Sequence, residues 1–383
     1  MSDALDLHLS GEQRELYLST QTLASQTLSL IAAAGTPGRV NRALVRALAE
    51  HDLLARLFER DSVSAIELCL IREALARGCT EAETAFALQG LGAYPIVQAG
   101  SGALRAHWIP RVSAGTAVAA FALTEPEAGS DPAALKLRAE LTGEPRGGYR
   151  LSGGKLWISN APDADIYTVF ARTSSEEGAR GLTAFAVPGD SDGLSGSPRE
   201  MLSPHAIGSL VFDDVPVSAE QMLGGPGDGF RVAMRTLDLF RPSVGACAIG
   251  MARTALELAT AYALERRTFG KPLKDHQALA HRLADLRAQT EAARLLVHQA
   301  ALAHDAGVAD PSMAAMAKLL ATEVAQTAVD AAVQFHGAVA LEQGHPLEHL
   351  YRDVRALRIY EGASEIQREI VARAMFRAAE SSR

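Results

Sequence analysis

The residues of this sequence best able to do chemistry fall into a few short groups. The run Phe121-Ala-Leu123-Thr124-Glu-Pro-Glu-Ala-Gly129-Ser130-Asp131 leaves an apolar stretch and enters a Gly/Pro loop. Its exposed amides and two hydroxyls, Thr124 and Ser130, suit a flat polar ring system; taken alone, a plain turn is the favoured reading. Trp157-Ile158-Ser159 ends a strand-like run, where an indole can stack on a ring and a hydroxyl can bond to it; a buried core Trp is the alternative. Glu361, between Tyr360 and Gly362, is either a positioned carboxylate base or a carboxylate favoured by the macrodipole of the helix that follows. His336, His345 and His349, nine and four residues apart, fit no common ligand spacing, so no metal is expected.

Elements to position these groups follow from the patterning. A chain of 383 residues with 48% hydrophobic and 21% charged residues has room for two or three domains. Aromatics are only 5%, so helix packing should dominate. The fold class expected is α+β, mainly α. Residues 1–115 read as an N-terminal helical domain, 116–222 as a middle small β-barrel or twisted-sheet domain, and 223–383 as a C-terminal four-helix bundle. Ser10 with Gln13, Asn41 and Ser64 start helical runs, the second spanning Ala43 to Phe58 and the third ending at Gly78. Gly90, Gly92, Pro95, Gly100 and Gly102 read as a broken region. Strands are expected at Val118–Leu123, Tyr149–Leu151, Lys155–Ser159, Ile166–Arg172, Thr183–Val187 and Ser209–Phe212. In the last third, Pro242 suits a first helical turn, Asp275 a cap for the run to Asp305, Pro311 the start of another, and Glu361–Arg377 a last helix.

The formal net charge of −8 gives no reason to expect nucleic acid or an anionic membrane as partner. No apolar stretch approaches the ~20 residues of a membrane span. Cys69, Cys79 and Cys247 show no paired spacing and read as buried free thiols. With no signal-like apolar core in Met1–Glu15, a cytoplasmic location is expected.

Four segments together carry a resemblance. Thr124-Glu-Pro-x-Ala-Gly-Ser-Asp131, Lys155-x-Trp-Ile-Ser-Asn160, Arg266-Arg-Thr-Phe269-Gly270 with His276-Gln277, and Tyr351-Arg-Asp353 leading to Tyr360-Glu-Gly-Ala-Ser-Glu-Ile-Gln367 resemble, in order, the signatures of the FAD-dependent acyl-CoA dehydrogenase family. The resemblance implies an enzyme that removes two hydrogens from an acyl-CoA to give a 2-enoyl-CoA, placing the protein in fatty acid metabolism, with an electron-transfer flavoprotein as electron acceptor. It implies Glu361 as the base, its own N–H and a flavin hydroxyl forming the oxyanion hole. FAD would contact Phe121, Leu123, Thr124, Gly129, Ser130, Trp157, Ile158, Ser159, Arg266, Phe269, Gln277, Gln334, Gly337, Ser364 and Glu365. Gln277 and the Gln334–Gly337 element match residues that reach FAD from a neighbouring subunit, hence a homotetramer built as a dimer of dimers. Substrate would lie against Ser130, Tyr94, Asp238, Arg241, Tyr360 and Gly362, with the Tyr94 ring shortening the cavity toward short, branched or cyclic acyl groups. Some relatives carry the base immediately before the Arg of Asp238-Leu-Phe240-Arg241; Phe240 occupies that position here.

The sequence departs from the family at Gly337-Ala-Val-Ala340, where glycines are usual, at Ala363 in place of Thr, and at the short charged stretch Leu53–Ser64. Glu83 stands near the position of an Arg used for dicarboxylic acyl chains. Alternatives on the same fold are a carrier-protein thioester dehydrogenase, an acyl-CoA oxidase, or a non-catalytic assembly partner.

Overall fold

The structure, a computed structural model, describes residues 6, 8–58, 63–142, 147–176 and 178–381. The expected N-terminal reading (Met1–Glu15) and the Leu53–Ser64 stretch lie partly outside these residues. Helices are α1 (Gly11–Leu23), α2 (Ser29–Ala33), α3 (Arg42–Glu50), α4 (Ala55–Phe58), α5 (Ala65–Gly78), α6 (Thr80–Ala99), α7 (Gly102–Ser113), α8 (Gly229–Glu265), α9 (Gln277–Asp305), α10 (Pro311–His336), α11 (Pro346–Ala356) and α12 (Ser364–Ser381). Strands are β1 (Ala119–Ala122), β2 (Arg138–Leu141), β3 (Gly148–Ser159), β4 (Ile166–Arg172), β5 (Leu182–Pro188), β6 (Leu194–Pro198), β7 (Ile207–Ser218), β8 (Met222–Leu223), β9 (Arg267–Thr268) and β10 (Lys271–Pro272). By contact density the chain forms two compact units, residues 1–27, 64–83 and 238–383 in one, 28–63 and 84–237 in the other.

Three helix starts follow their capping residues. Ser10 and Gln13 form a reciprocal capping box on α1, Asn41 accepts from Leu44 N, and Ser64 accepts from Glu67 N. The run expected from Asn41 to Phe58 is in fact two helices, α3 and α4, because the chain turns at Asp52 with φ +58°. Two further expectations need correction. Pro242 lies inside the 37-residue α8 rather than in a first turn. Asp275 belongs to a short 3-10 turn, and His276 occupies the α9 N-cap without a side-chain bond.

The Gly90–Gly102 region is the largest difference from expectation. α6 runs unbroken through Gly90, Gly92 and Pro95. Gly92 serves contact rather than flexibility: a Cβ there would lie 2.5 Å from the Ala120 backbone N and 2.7 Å from the Ala119 carbonyl carbon. The helix therefore rests directly on β1. Buried Gln89 stitches the pair, its amide donating to Ala117 O (2.9 Å) and accepting from Ala119 N (2.8 Å), while the Thr168 hydroxyl donates to Gly92 O (2.8 Å). Gly92→Ala is expected to push α6 off β1, at about 1–3 kcal/mol or more because backbone atoms cannot rotate away. A denaturation midpoint equal to that of the wild type would refute this packing account.

The middle β-domain takes the form of a mixed sheet in the order β6-β7-β3-β2-β4-β5-β8, with β1 pairing β4 in parallel. β4 and β5 are buried along almost their whole length. The core of the sheet combines Val169, Phe185, Val187, Leu151 and Phe212, all at most 2% exposed. β2, β6 and β8 were not foreseen: each is short, and β6 (Leu-Ser-Gly-Ser-Pro) is mostly exposed and carries no apolar alternation. In the other unit α10 packs on α9, α11 and α12, giving the helical C-terminal region.

Candidate active site

Two site regions emerge, one in each compact unit. In the β-containing unit a buried ion pair draws the first two motifs together. Lys155, on β3 and 1% exposed, donates to Glu125 Oε1 (2.8 Å) and to Leu123 O (3.0 Å). Leu156 N donates to Thr124 O (3.0 Å), and the Glu125 carboxylate also accepts from Lys136 N and Leu137 N. The loop after β1 is thereby fixed against β3. Burial lowers the Lys155 ammonium to about 8, with Glu125 opposing the shift. Lys155 and Glu125 thus hold the loop, a role that the sequence motif alone did not reveal.

Within this assembly Gly129 and Ser130 are exposed, and Phe121 packs on Phe170 with ring centroids 4.9 Å apart. Trp157 adopts φ +59° at a β3–β7 register shift between Lys155 and Ile158. That shift turns its indole outward, 47% exposed, while Ile158 stays buried. Tyr94 is half-buried on α6 in the same unit, and burial pushes its hydroxyl pKa up.

The helical unit gathers Asp238, Arg241, Tyr360, Glu361, Gly362, Ser364 and Glu365. Glu361 does not begin the last helix, as expected, but precedes α12 in a turn. It and Gly362 have φ +53° and +94°. A left-handed conformation at a non-glycine residue costs about 1–2 kcal/mol, so the turn must be held. Lys318 Nζ and Gln367 Nε2 donate to the Gly362 carbonyl (2.8 and 2.9 Å). Gln367 also reaches Glu361 O (3.2 Å), and Arg241 Nε approaches the same oxygen at 3.4 Å. The φ of +94° favours glycine at 362, and a Cβ there would also lie 2.5 Å from Gln367 Nε2, displacing the amide that holds the turn.

The Glu361 Oε2 atom is buried and has no hydrogen-bond partner among the described residues. Burial raises the pKa of this carboxyl; Arg72, Lys318 and Arg241 pull it down and Glu83 opposes them. Arg72 and Glu83, each 2% exposed, form an ion pair, and Arg72 Nη1 donates to Ser243 Oγ (2.7 Å). Arg241 pairs with Asp238 (2.9 Å), whose carboxyl burial raises despite that partner. Ser364 donates to Glu323 (2.6 Å), which also pairs with Arg358; Glu365 is exposed.

Elsewhere in this unit, Tyr262, Arg266, Thr268, Leu273 and residues 335–339 line an open cavity of about 340 Å³. It brings Arg266 and Gly337 to one wall. The Gly-Ala-Val-Ala segment forms a 3-10 turn in which only Gly337 is left-handed (φ +68°), so the alanines and valine meet no backbone strain. Phe269 is 97% exposed, and Gln277 and Gln334 are also exposed. The histidines have other uses: His336 stacks on Tyr262 (4.2 Å), and His349 sits against Asp353 (3.1 Å) and Thr80 (2.9 Å). No group of three potential metal ligands occurs among the described residues. Nor is any described helix long and apolar enough to cross a membrane.

Comparison with known proteins decides the affiliation. The acyl-CoA dehydrogenase N-terminal, middle and C-terminal domain models match residues 10–116, 120–215 and 227–376. This chain belongs to the acyl-CoA dehydrogenase family. It is an oxidoreductase of a flavoprotein family. A Geobacter metallireducens relative, cyclohexane-1-carbonyl-CoA dehydrogenase, is 36% identical over 315 residues, covering 82% of each chain. The structure of butyryl-CoA dehydrogenase from Megasphaera elsdenii matches with TM-score 0.89 and 32% identity, over 96% of this chain and 99% of that chain. An FAD complex of PigA matches with TM-score 0.89 and 28% identity, over 96% and 98%.

Proposed function

We propose that this enzyme uses FAD to convert an acyl-CoA thioester into its 2-enoyl-CoA and passes the electrons to an electron-transfer flavoprotein, with Glu361 taking the α-proton. The observation that carries the reading is the Glu361 carboxylate, with a buried oxygen that has no partner among the described residues, in a strained turn. Nothing structural is gained by leaving that oxygen unbonded, whereas a base must keep a lone pair free for a proton. Glu361 would accept the proton from the carbon next to the thioester carbonyl. Burial raises the pKa of this carboxyl, which strengthens its pull on a proton, while Arg72, Lys318 and Arg241 act against that rise. The Glu361 backbone N–H would serve the thioester oxygen.

FAD, when bound, supplies the hydride acceptor for the neighbouring carbon. Phe121, Leu123, Thr124, Gly129, Ser130, Trp157, Ile158 and Ser159 would hold its ring. Arg266, Phe269, Gln277, Gln334, Gly337, Ser364 and Glu365 would hold its pyrophosphate and adenosine parts, some from a neighbouring subunit of a homotetramer. Substrate would be oriented by Ser130, Asp238, Arg241, Tyr360 and Gly362. Tyr94 would shorten the acyl cavity and favour short, branched or cyclic chains, and the Geobacter relative is itself named for a cyclic acyl-CoA.

The test is anaerobic mixing of the FAD-loaded protein with a panel of acyl-CoAs, following loss of the oxidised flavin spectrum. Short, branched or cyclic members are expected to bleach it fastest. Failure of every acyl-CoA to reduce the flavin would overturn the reading.

A further inference from the structure

We infer that Lys318 is a positioning residue for Glu361, holding by its hydrogen bond to the next residue's carbonyl the turn that presents the carboxylate and adding a buried positive charge beside that turn. This rests on the reading of Glu361 as the base. Lys318 lies in the interior of α10 and is 0% exposed. Its Nζ donates to Gly362 O, immediately after the left-handed Glu361. A carbonyl partner alone does not call for a lysine, because Gln367 already donates to the same oxygen without carrying a charge. Burying an ammonium is unfavourable, so the charge itself calls for an account.

The charged groups around the turn supply it. α5 contributes Arg72, α6 Glu83, α8 Asp238 and Arg241, α10 Lys318 and Glu323, and α12 Glu365. Arg72 is committed to Glu83 and Arg241 to Asp238, and Glu323 is held by Ser364 and Arg358. Of the three cations, Lys318 alone makes no ion pair with a carboxylate among the described residues. Its charge is therefore not shared with another ion-pair partner, and it acts on Glu361 alongside those of Arg72 and Arg241. Burial lowers the ammonium to about 8, and the nearby Glu361 carboxylate opposes that shift.

Three substitutions separate the two roles. Lys318→Gln keeps a donor without charge, Lys318→Arg keeps charge, and Lys318→Met keeps neither. Flavin bleaching by acyl-CoA, measured against pH, is expected to show an acidic limb moved up by about one unit in Lys318→Gln and Lys318→Met, the size of shift that a lost opposite charge produces. Lys318→Arg should keep the limb in place. Independently of turnover, amide exchange at residues 361–364 should be about fivefold faster in Lys318→Met, the ratio given by one lost hydrogen bond of ordinary worth. Lys318→Gln should stay near wild type. An unmoved acidic limb in Lys318→Gln overturns the charge role, and unchanged exchange in Lys318→Met overturns the hold on the turn. Should Glu361→Gln bleach normally, the base reading itself falls, while the exchange measurement still reports whether Lys318 holds the turn.

Discussion

Replacing Glu361 by glutamine is expected to slow flavin reduction by at least about 10³, near the middle of the range for removal of a general base. The amide preserves the size of the side chain and one acceptor oxygen but cannot take a proton. FAD and acyl-CoA binding should survive, because the turn is held through backbone carbonyls by Lys318, Gln367 and Arg241 rather than through the carboxylate. The pH dependence has a definite sign. The pKa of Glu361 is raised in the folded protein, so bleaching by the wild type should fall as pH drops through that raised value. The same shift means that folding favours the protonated form, and the stability linked to it is lost as pH rises through the folded value. At neutral pH, Glu361→Gln should therefore be no less stable than the wild type. Stopped-flow bleaching under anaerobic conditions decides the matter: near-normal rates would mean that the proton goes elsewhere, and Phe240 offers no replacement at the alternative position.

The largest effect on stability is expected at Glu73, far from the proposed chemistry in its role. Glu73 is 0% exposed on α5 and accepts from Arg253 Nη1 (2.6 Å), Arg294 Nε (2.8 Å) and the Tyr17 hydroxyl (3.1 Å). His298 lies 3.6 Å away, and Arg294 is also paired with Asp6. Burial alone would raise the Glu73 carboxyl pKa, but Arg294, His298 and Arg253 together hold it well below 4.5. Glu73→Ala leaves two buried guanidinium groups short of counter-charge, which costs about 3–5 kcal/mol. Because the folded pKa is depressed, this stabilisation is present above the ordinary carboxylate value and lost as pH falls below it. Chemical denaturation of wild type and variant at neutral pH, repeated in acid, should show a gap that narrows with acidity. A neutral-pH difference under about 1 kcal/mol would contradict the network described here.

How much of this was legible in the sequence depended on how local the cause was. Ser10 with Gln13, Asn41 and Ser64 cap helices because a short polar side chain satisfies an amide three residues on, an interaction contained within four residues. The strands around Ile166–Arg172 and Thr183–Val187 were legible because a continuous apolar run bounded by turn residues has few other uses. The helix through Gly90, Gly92 and Pro95 was not. Local propensity argues against it, and it forms because β1 packs on Gly92 and offers Gln89 backbone partners about thirty residues away in sequence.

The sequence by itself determined the family signatures, the helical–β–helical order and the residues worth suspecting, since these depend on composition, spacing and short-range bonding. Only tertiary structure decided that Glu361 stands outside α12 in a left-handed turn and that one of its oxygens is buried without a partner among the described residues. It likewise decided that Arg72, Glu83, Lys318 and Gln367, from three other helices and from α12 itself, set the conditions around Glu361. Those features arise from buried contacts between side chains scores of residues apart, where desolvation makes each charge count. No local pattern encodes which distant charge will share a dry site.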